Sequence, residues 1–250
     1  LADGASLTPN FWRAPTDNDF GAGLQRKFSV WRSPEMKLSD MKVNLTDSTI
    51  VVTTRHDMPG VRAALAMNYV IFADGTMRVT EQMITTSSSD VPEMFRFGMQ
   101  LPMPVEFEQL SYYGRGPVET YCDRKDSEFI GQYNGTVTEQ FYPYIRPQEN
   151  GNHVDLRWME LRNAANKGLR IVAEMPFSAS ALHYTIQSLD EGDHKRNLHS
   201  PDVDPSPLTN VCIDLEQMGL GCVNSWGAWP LQQYRLPYQD RTFTFMLIPL

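Results

Sequence analysis

Residues Asn10 to Gly23, "NFWRAPTDNDFGAG", crowd an arginine and three oxygen-bearing side chains, Asp17, Asn18 and Asp19, into one short stretch. Three chemistries compete for it. A calcium loop of EF-hand type needs oxygens at positions one, three and five and glycine at six. Counted from Asp17, position five is Gly21 and position six is Ala22, so that pattern fails. A retaining glycosidase needs two carboxyl groups ~5–5.5 Å apart, flanking the scissile bond. Asp17 and Asp19 on an extended segment would lie ~6.5–7 Å apart at the backbone, but neighbours on one loop rarely flank a bond. A turn is the reading these residues favour, because Asp and Asn bond their own following backbone and Gly21 and Gly23 add freedom.

Elsewhere the chemistry-bearing residues are scattered. Glu119, Asp123, Glu149 and Asp155 are further carboxylates whose spacing does not separate a catalyst from a salt-bridged turn residue. His153 follows Glu149 in "RPQENGNHVDLRW" and could exchange protons near neutral pH, or serve as a hydrogen-bonded structural imidazole. There is no G-x-S-x-G and no H-E-x-x-H, and Pro117 interrupts "YYGRGP" before any helix could present amides to a phosphate. Cys122, Cys212 and Cys222 are odd in number and lack C-x-x-C spacing, which favours packed thiols over a disulfide framework or a zinc site. Trp226 and Trp229 in "GLGCVNSWGAWP" could face a sugar ring or plug the end of the fold.

These residues must be positioned by strands. Short runs of β-branched and aromatic residues separated by Gly, Asn, Asp and Pro recur along the chain, as in "STIVVTTRHD" and "FRFGMQLPM". "ALAMNYVIFADGTMRVTEQMITT" predicts a hairpin turning at Asp74-Gly75, and "VDLRWMELRNAANKGLRIVAEM" a second turning near Asn166 to Gly168. "FTFMLIPL" reads as a closing strand buried on both faces. The one helical candidate is Leu189 to Leu198, polar and interrupted by Gly192. The fold class expected is all-β: one domain over residues 1–250, built as a large two-sheet antiparallel β-sandwich.

The 250 residues carry 22 Lys and Arg against 30 Asp and Glu, a formal charge of −8, so nucleic acid and anionic membranes are poor partners. No apolar run is long enough to span a bilayer and no signal-like segment opens the chain. A soluble protein is expected, with cytoplasm and periplasm both left open.

"FWRAPTDNDFG", "YYGRGPVETYCDRK", "YPYIRPQENGNHVDLRW" and "MGLGCVNSWG" together resemble the C-terminal domain of the large β-galactosidases of glycoside hydrolase family 2, a separate small chain in some relatives. The four motifs occur in the family's order from Asn10 to Gly227. The resemblance implies a supersandwich of the galactose-mutarotase type. It places both catalytic glutamates, and any Mg or Na ion, in a barrel domain N-terminal to this one, so no catalytic residue, metal ligand or cofactor is assigned to this chain, and the isolated chain is expected to be inactive. It implies that Trp226 forms an aromatic wall at the active-site entrance, that Asn224 and Ser225 shape its loop, and that Arg13, Asp17, Asn18, Asp19 and Gly21 lie on a segment at the same rim. Cys222 and Asn224 stand where the family often has Gly and Asp, which puts local polarity in question. The partners implied are a β-galactoside or other carbohydrate and the N-terminal domains of the same enzyme, with a homo-oligomer left open. Two other readings compete: a mutarotase-like aldose epimerase using His153 with Glu149, and a non-catalytic carbohydrate-binding module using Trp226 and Trp229.

Overall fold

The computed structural model describes residues 2, 4–86, 90–221, 223–224 and 227–250. Twelve strands, all paired antiparallel, dominate the described residues: β1 (Thr8–Asn10), β2 (Lys37–Leu45), β3 (Thr49–Met58), β4 (Ala63–Phe72), β5 (Met77–Thr85), β6 (Arg96–Pro104), β7 (Gln109–Gly116), β8 (Phe129–Thr136), β9 (Asn152–Arg162), β10 (Gly168–Leu182), β11 (Leu208–Gln217) and β12 (Arg241–Pro249). The helices are single turns or little more: α1 (Asp17–Ala22), α2 (Leu24–Lys27) and α3 (Ile186–Leu189).

The all-β antiparallel expectation holds. The ladders are continuous, so the layers of the expected sandwich are arms of one curled sheet, in the order β1-β6-β11-β10-β12-β5-β4-β3-β2 with β9, β7 and β8 branching from β10. The branch point is a bulge. On β10, Val172 pairs Trp158 and Phe177 pairs Leu156, so Ala173 to Pro176 stand opposite the single residue Arg157 and one strand carries three extra residues. The N-terminal half of β10 pairs β12 and the C-terminal half pairs β11, which divides the sheet into two arms around a shared apolar core.

Both expected hairpins form, β4–β5 with Gly75 at φ +83° and β9–β10 with Asn166 at φ +59°. Three local expectations are corrected. Asp17 to Asp19 are the first turn of α1, because Thr16 and Asp19 close a reciprocal capping box. Leu189 to Leu198 is not a helix: the helical turn ends at Leu189, Gly192 and Asn197 take positive φ, and the Glu191 carboxylate accepts from the amides of Arg196 and Leu198. On β12 only one face is buried, that of Phe243, Phe245 and Leu247; Met246 and Ile248 are half-exposed.

Candidate functional site: a clamp joining four segments

Arg13 is fully buried, and its guanidinium is the centre of the site. Nε and Nη2 donate to the two carboxylate oxygens of Asp19 at 3.0 and 2.8 Å, a fork-to-fork pair. The remaining donors reach across the chain: Nη1 to the Met218 carbonyl at 2.5 Å and Nη2 to the Gly219 carbonyl at 3.1 Å. Phe95 packs under the cation, 4.6 Å from ring centroid to Cζ. Asp19 also accepts from the Thr16 amide at 2.9 Å, so one carboxylate both caps α1 and neutralises Arg13.

Two further segments lock onto this unit. The Asp123 carboxylate accepts from the amides of Leu220 and Gly221, each at 2.9 Å, and a Cβ on Gly219 would stand 2.4 Å from its Oδ2. The Glu149 amide donates to the Ala14 carbonyl at 3.0 Å, and the Asp17 amide to Gln148 Oε1 at 3.2 Å. Behind it, Arg96 reaches Glu149 at 3.2 Å and Asp214 at 3.4 Å beside a small cavity of about 50 Å³. The four sequence motifs therefore converge on one place, 218–221 being held on its carbonyl side by Arg13 and on its amide side by Asp123.

Of the residues assigned to the rim, Arg13 and Asp19 are buried in the clamp. Asn18 donates to the Leu220 carbonyl at 3.3 Å. Asp17 is exposed, pairs with Lys195 and lies 3.6 Å from Arg146. Asp17, Asn18 and Gly21 line an open cleft of about 560 Å³ together with Arg26, His194 and Lys195. A Cβ on Gly21 would lie 3.6 Å from Gly227 Cα, so α1 abuts Gly227. Asn224 is exposed and accepts from the Ala228 amide at 3.2 Å. Ser225, Trp226 and Cys222 lie outside the described residues. Trp229 is half-buried, with Phe28 against its ring and the cations of Lys27 and Arg235 above it, so it packs as part of the fold.

The other carboxylates are engaged. Glu119 holds Arg124 at 2.9 Å, the Tyr144 hydroxyl and the Gly151 amide. Asp155 holds Arg115 at 2.6 Å and Lys125 at 3.1 Å, which keeps its carboxyl below the usual range against the opposing effect of burial. His153 is buried, with Nε2 on Gln140 at 2.8 Å and its ring against Tyr112, and burial pushes it down to about 4. Such an imidazole stays neutral at pH 7, with Nδ1 facing the Arg115 carbonyl and Nε2 facing the Gln140 side chain. Sequence reasoning missed Arg96, Asp214 and the anchoring role of Asp123. One signal was in plain view, the T-x-x-D capping box at Thr16.

The family described as beta galactosidase small chain matches residues 1–247. A protein named beta-galactosidase from Priestia megaterium is 34% identical over 100% of this chain and 24% of its own length. One of the same name from Streptococcus thermophilus is 30% identical over 96% of this chain and 23% of its own. The chain thus spans about a quarter of the length of these relatives. Among solved structures, a GalM/aldose epimerase homologue from C. elegans overlaps 84% of this chain and 68% of its own at a TM-score of 0.41 and 8% identity. On the match over nearly its whole length, the chain belongs to the beta-galactosidase small-chain family.

Proposed function

We propose that this chain is the C-terminal domain of a β-galactosidase that hydrolyses terminal β-D-galactosides with retention, and that it completes the rim of the substrate pocket. The two catalytic carboxylates, and any metal ion, belong to a barrel domain elsewhere in the parent. One observation carries this reading: the four motifs converge on the Arg13–Asp19 clamp, while each carboxylate considered for catalysis is already held by cations or amides. The roles of Arg13, Asp19, Asp17, Asn18 and Gly21 follow from placement, and those of Trp226, Ser225 and Asn224 from the resemblance to the family. Arg13 and Asp19 position the 218–221 segment, and Asp17, Asn18 and Gly21 form an open wall. Trp226, Ser225 and Asn224 supply the aromatic and polar face toward the leaving-group sugar, an indole being suited to the apolar face of a pyranose.

The epimerase reading is disfavoured by His153, whose ring is buried between the Arg115 carbonyl and Gln140 and whose burial keeps it neutral. The division of labour is tested with an aryl β-galactoside. Purified residues 1–250 should show no turnover while the full-length parent should, and robust turnover by the isolated chain overturns the assignment. Polarimetry on fresh α-galactose with the isolated chain should show equilibration no faster than buffer.

A further inference from the structure

β2 is a nine-residue edge strand whose every residue is exposed. Paired residues of neighbouring antiparallel strands share a face, so its apolar side chains can be followed inward. Val43 pairs Val52, which pairs Tyr69, which pairs Val79, which pairs Phe245. Leu45 leads in the same way through Ile50, Ile71 and Met77 to Leu247. Val79 and Phe245 are 0% exposed, whereas Val43 and Leu45 are 53% and 74% exposed. The face that forms the core therefore runs on past the core into solvent.

The alternation along β2 is kept apolar on this side by an irregularity. Leu38 pairs His56 and Asp40 pairs Arg55, so the extra residue Ser39 lets Leu38 share the face of Met41, Val43 and Leu45. Natural edge strands are blunted by charge, proline or covering elements. Here the charges of the strand are spent locally, Lys42 on Asp40 at 3.1 Å and Lys37 on Glu35 at 3.1 Å, and the strand holds no proline. A contiguous apolar ledge of this kind marks an interaction surface.

We propose that this ledge, centred on Leu38, Met41, Val43, Leu45 and Ile50, is the seat of another domain of the same polypeptide, which covers it with an apolar face. The inference rests on the reading of the chain as part of a longer enzyme. Relatives aligned over this whole chain carry about three-quarters of their length outside the aligned portion. A tethered domain acts at an effective concentration near the millimolar range, enough to seat a modest apolar surface that would not hold a free partner.

The experiment is hydroxyl-radical footprinting of Met41, read by mass spectrometry, on isolated residues 1–250 and on the full-length parent, with galactosidase activity and sedimentation measured on the same samples. Met41 modification should fall about tenfold in the full-length protein, as expected when an open side chain becomes a core contact. Equal modification in an active full-length enzyme overturns the inference and leaves the functional reading standing, whereas protection in an inactive one does the reverse. An isolated chain that dimerises, with Met41 protected only in the dimer, also overturns the inference in favour of a second copy. Val43→Lys with Leu45→Lys should leave the melting of the isolated chain unchanged and speed limited proteolysis of the full-length protein; unchanged proteolysis counts against it.

Discussion

Replacing Asp19 by Asn removes one charge from the clamp and almost no volume. In the folded chain the Asp19 carboxylate accepts three hydrogen bonds, from Arg13 Nε and Nη2 and from the Thr16 amide. The amide keeps one acceptor and turns a donor toward a guanidinium that has only donors. Arg13 is fully buried, so its charge would be left among carbonyl oxygens without its hydrogen-bonded counter-ion. Breaking a buried pair from one side costs about 3–5 kcal/mol, against about 0.2–1 kcal/mol for an exposed pair. For a chain of this length about 2–4 °C is lost per kcal/mol, so the melting temperature should fall by roughly 6–20 °C. Urea unfolding of residues 1–250 followed by far-ultraviolet circular dichroism gives the free energy directly. Arg13→Met with Asp19→Asn removes both charges, and the double variant should lose less than the sum of the two single losses by at least about 1 kcal/mol. A loss below about 1 kcal/mol for Asp19→Asn would refute the clamp, because it would place the pair in the energetic class of exposed ion pairs.

Three further outcomes follow from the same geometry. Gly21→Ala, inside α1 and with room for a Cβ, should stabilise the chain by roughly 0.5–1 kcal/mol; Gly227→Ala, at φ +87° with its Cβ 2.4 Å from the Gly21 carbonyl oxygen, should destabilise it by roughly 1–3 kcal/mol, both read from urea midpoints. In the full-length parent, Trp226→Ala should weaken binding of the leaving-group sugar by about 0.5–1.5 kcal/mol, and unchanged lactose kinetics would return Trp226 to a structural role. Burial holds His153 at about 4, below its unfolded value of about 6.5, so the unfolded chain binds the extra proton between about pH 4 and 6.5 and stability rises with pH there. Burial, partly offset by Arg96, pushes Asp214 up to about 7, above its unfolded value of about 3.9, so the folded chain holds the extra proton and stability falls from about pH 4 to 7. The two slopes oppose each other, so Asp214→Asn should make stability rise more steeply from pH 5 to 7 than in the parent chain, and His153→Gln should make it fall.

The hairpins were legible because their turns carry a local reason. Gly75 and Asn166 take the positive φ their sequence neighbourhoods suggest. The first turn of α1 was legible in principle through Thr16 and Asp19, but Asp, Asn and Gly are weak helix formers, and the helix is held by contacts to Leu220 and Gly227, some two hundred positions away. At 189–198 the pattern misled for the opposite reason, since Glu191 is a good helix former whose carboxylate instead wraps the turn around itself. The Arg96–Glu149–Asp214 group was not legible at all. Its members come from β6, a loop and β11, and no local pattern announces that a strand arginine will be fully buried. The recognisable motifs converge on the clamp, while the bonds that build it are tertiary.

The anchoring of residues 218–221 leads to a sharper expectation about the tryptophan that follows them. Arg13 fixes the carbonyls of Met218 and Gly219, Asp123 fixes the amides of Leu220 and Gly221, and Gly227 packs against Gly21. Residues 218–221 and Gly227, which flank Trp226 in sequence, are therefore fixed points. A Cβ at Gly219 would stand 2.4 Å from Asp123 Oδ2 and 2.5 Å from its Cγ, and a side chain as short as aspartate cannot retreat while keeping both amide bonds. If the clamp serves to aim Trp226, Gly219→Ala in the full-length parent should raise KM for lactose as Trp226→Ala does, and the double variant should be little worse than either, since changes acting through one contact are not additive. Asp123→Asn, which keeps one acceptor for the two amides, should fall between the parent and Gly219→Ala. Fully additive losses would mean that Asp123 and Gly219 hold the fold without aiming the indole, and an unchanged KM in Gly219→Ala would separate the clamp from the sugar pocket altogether.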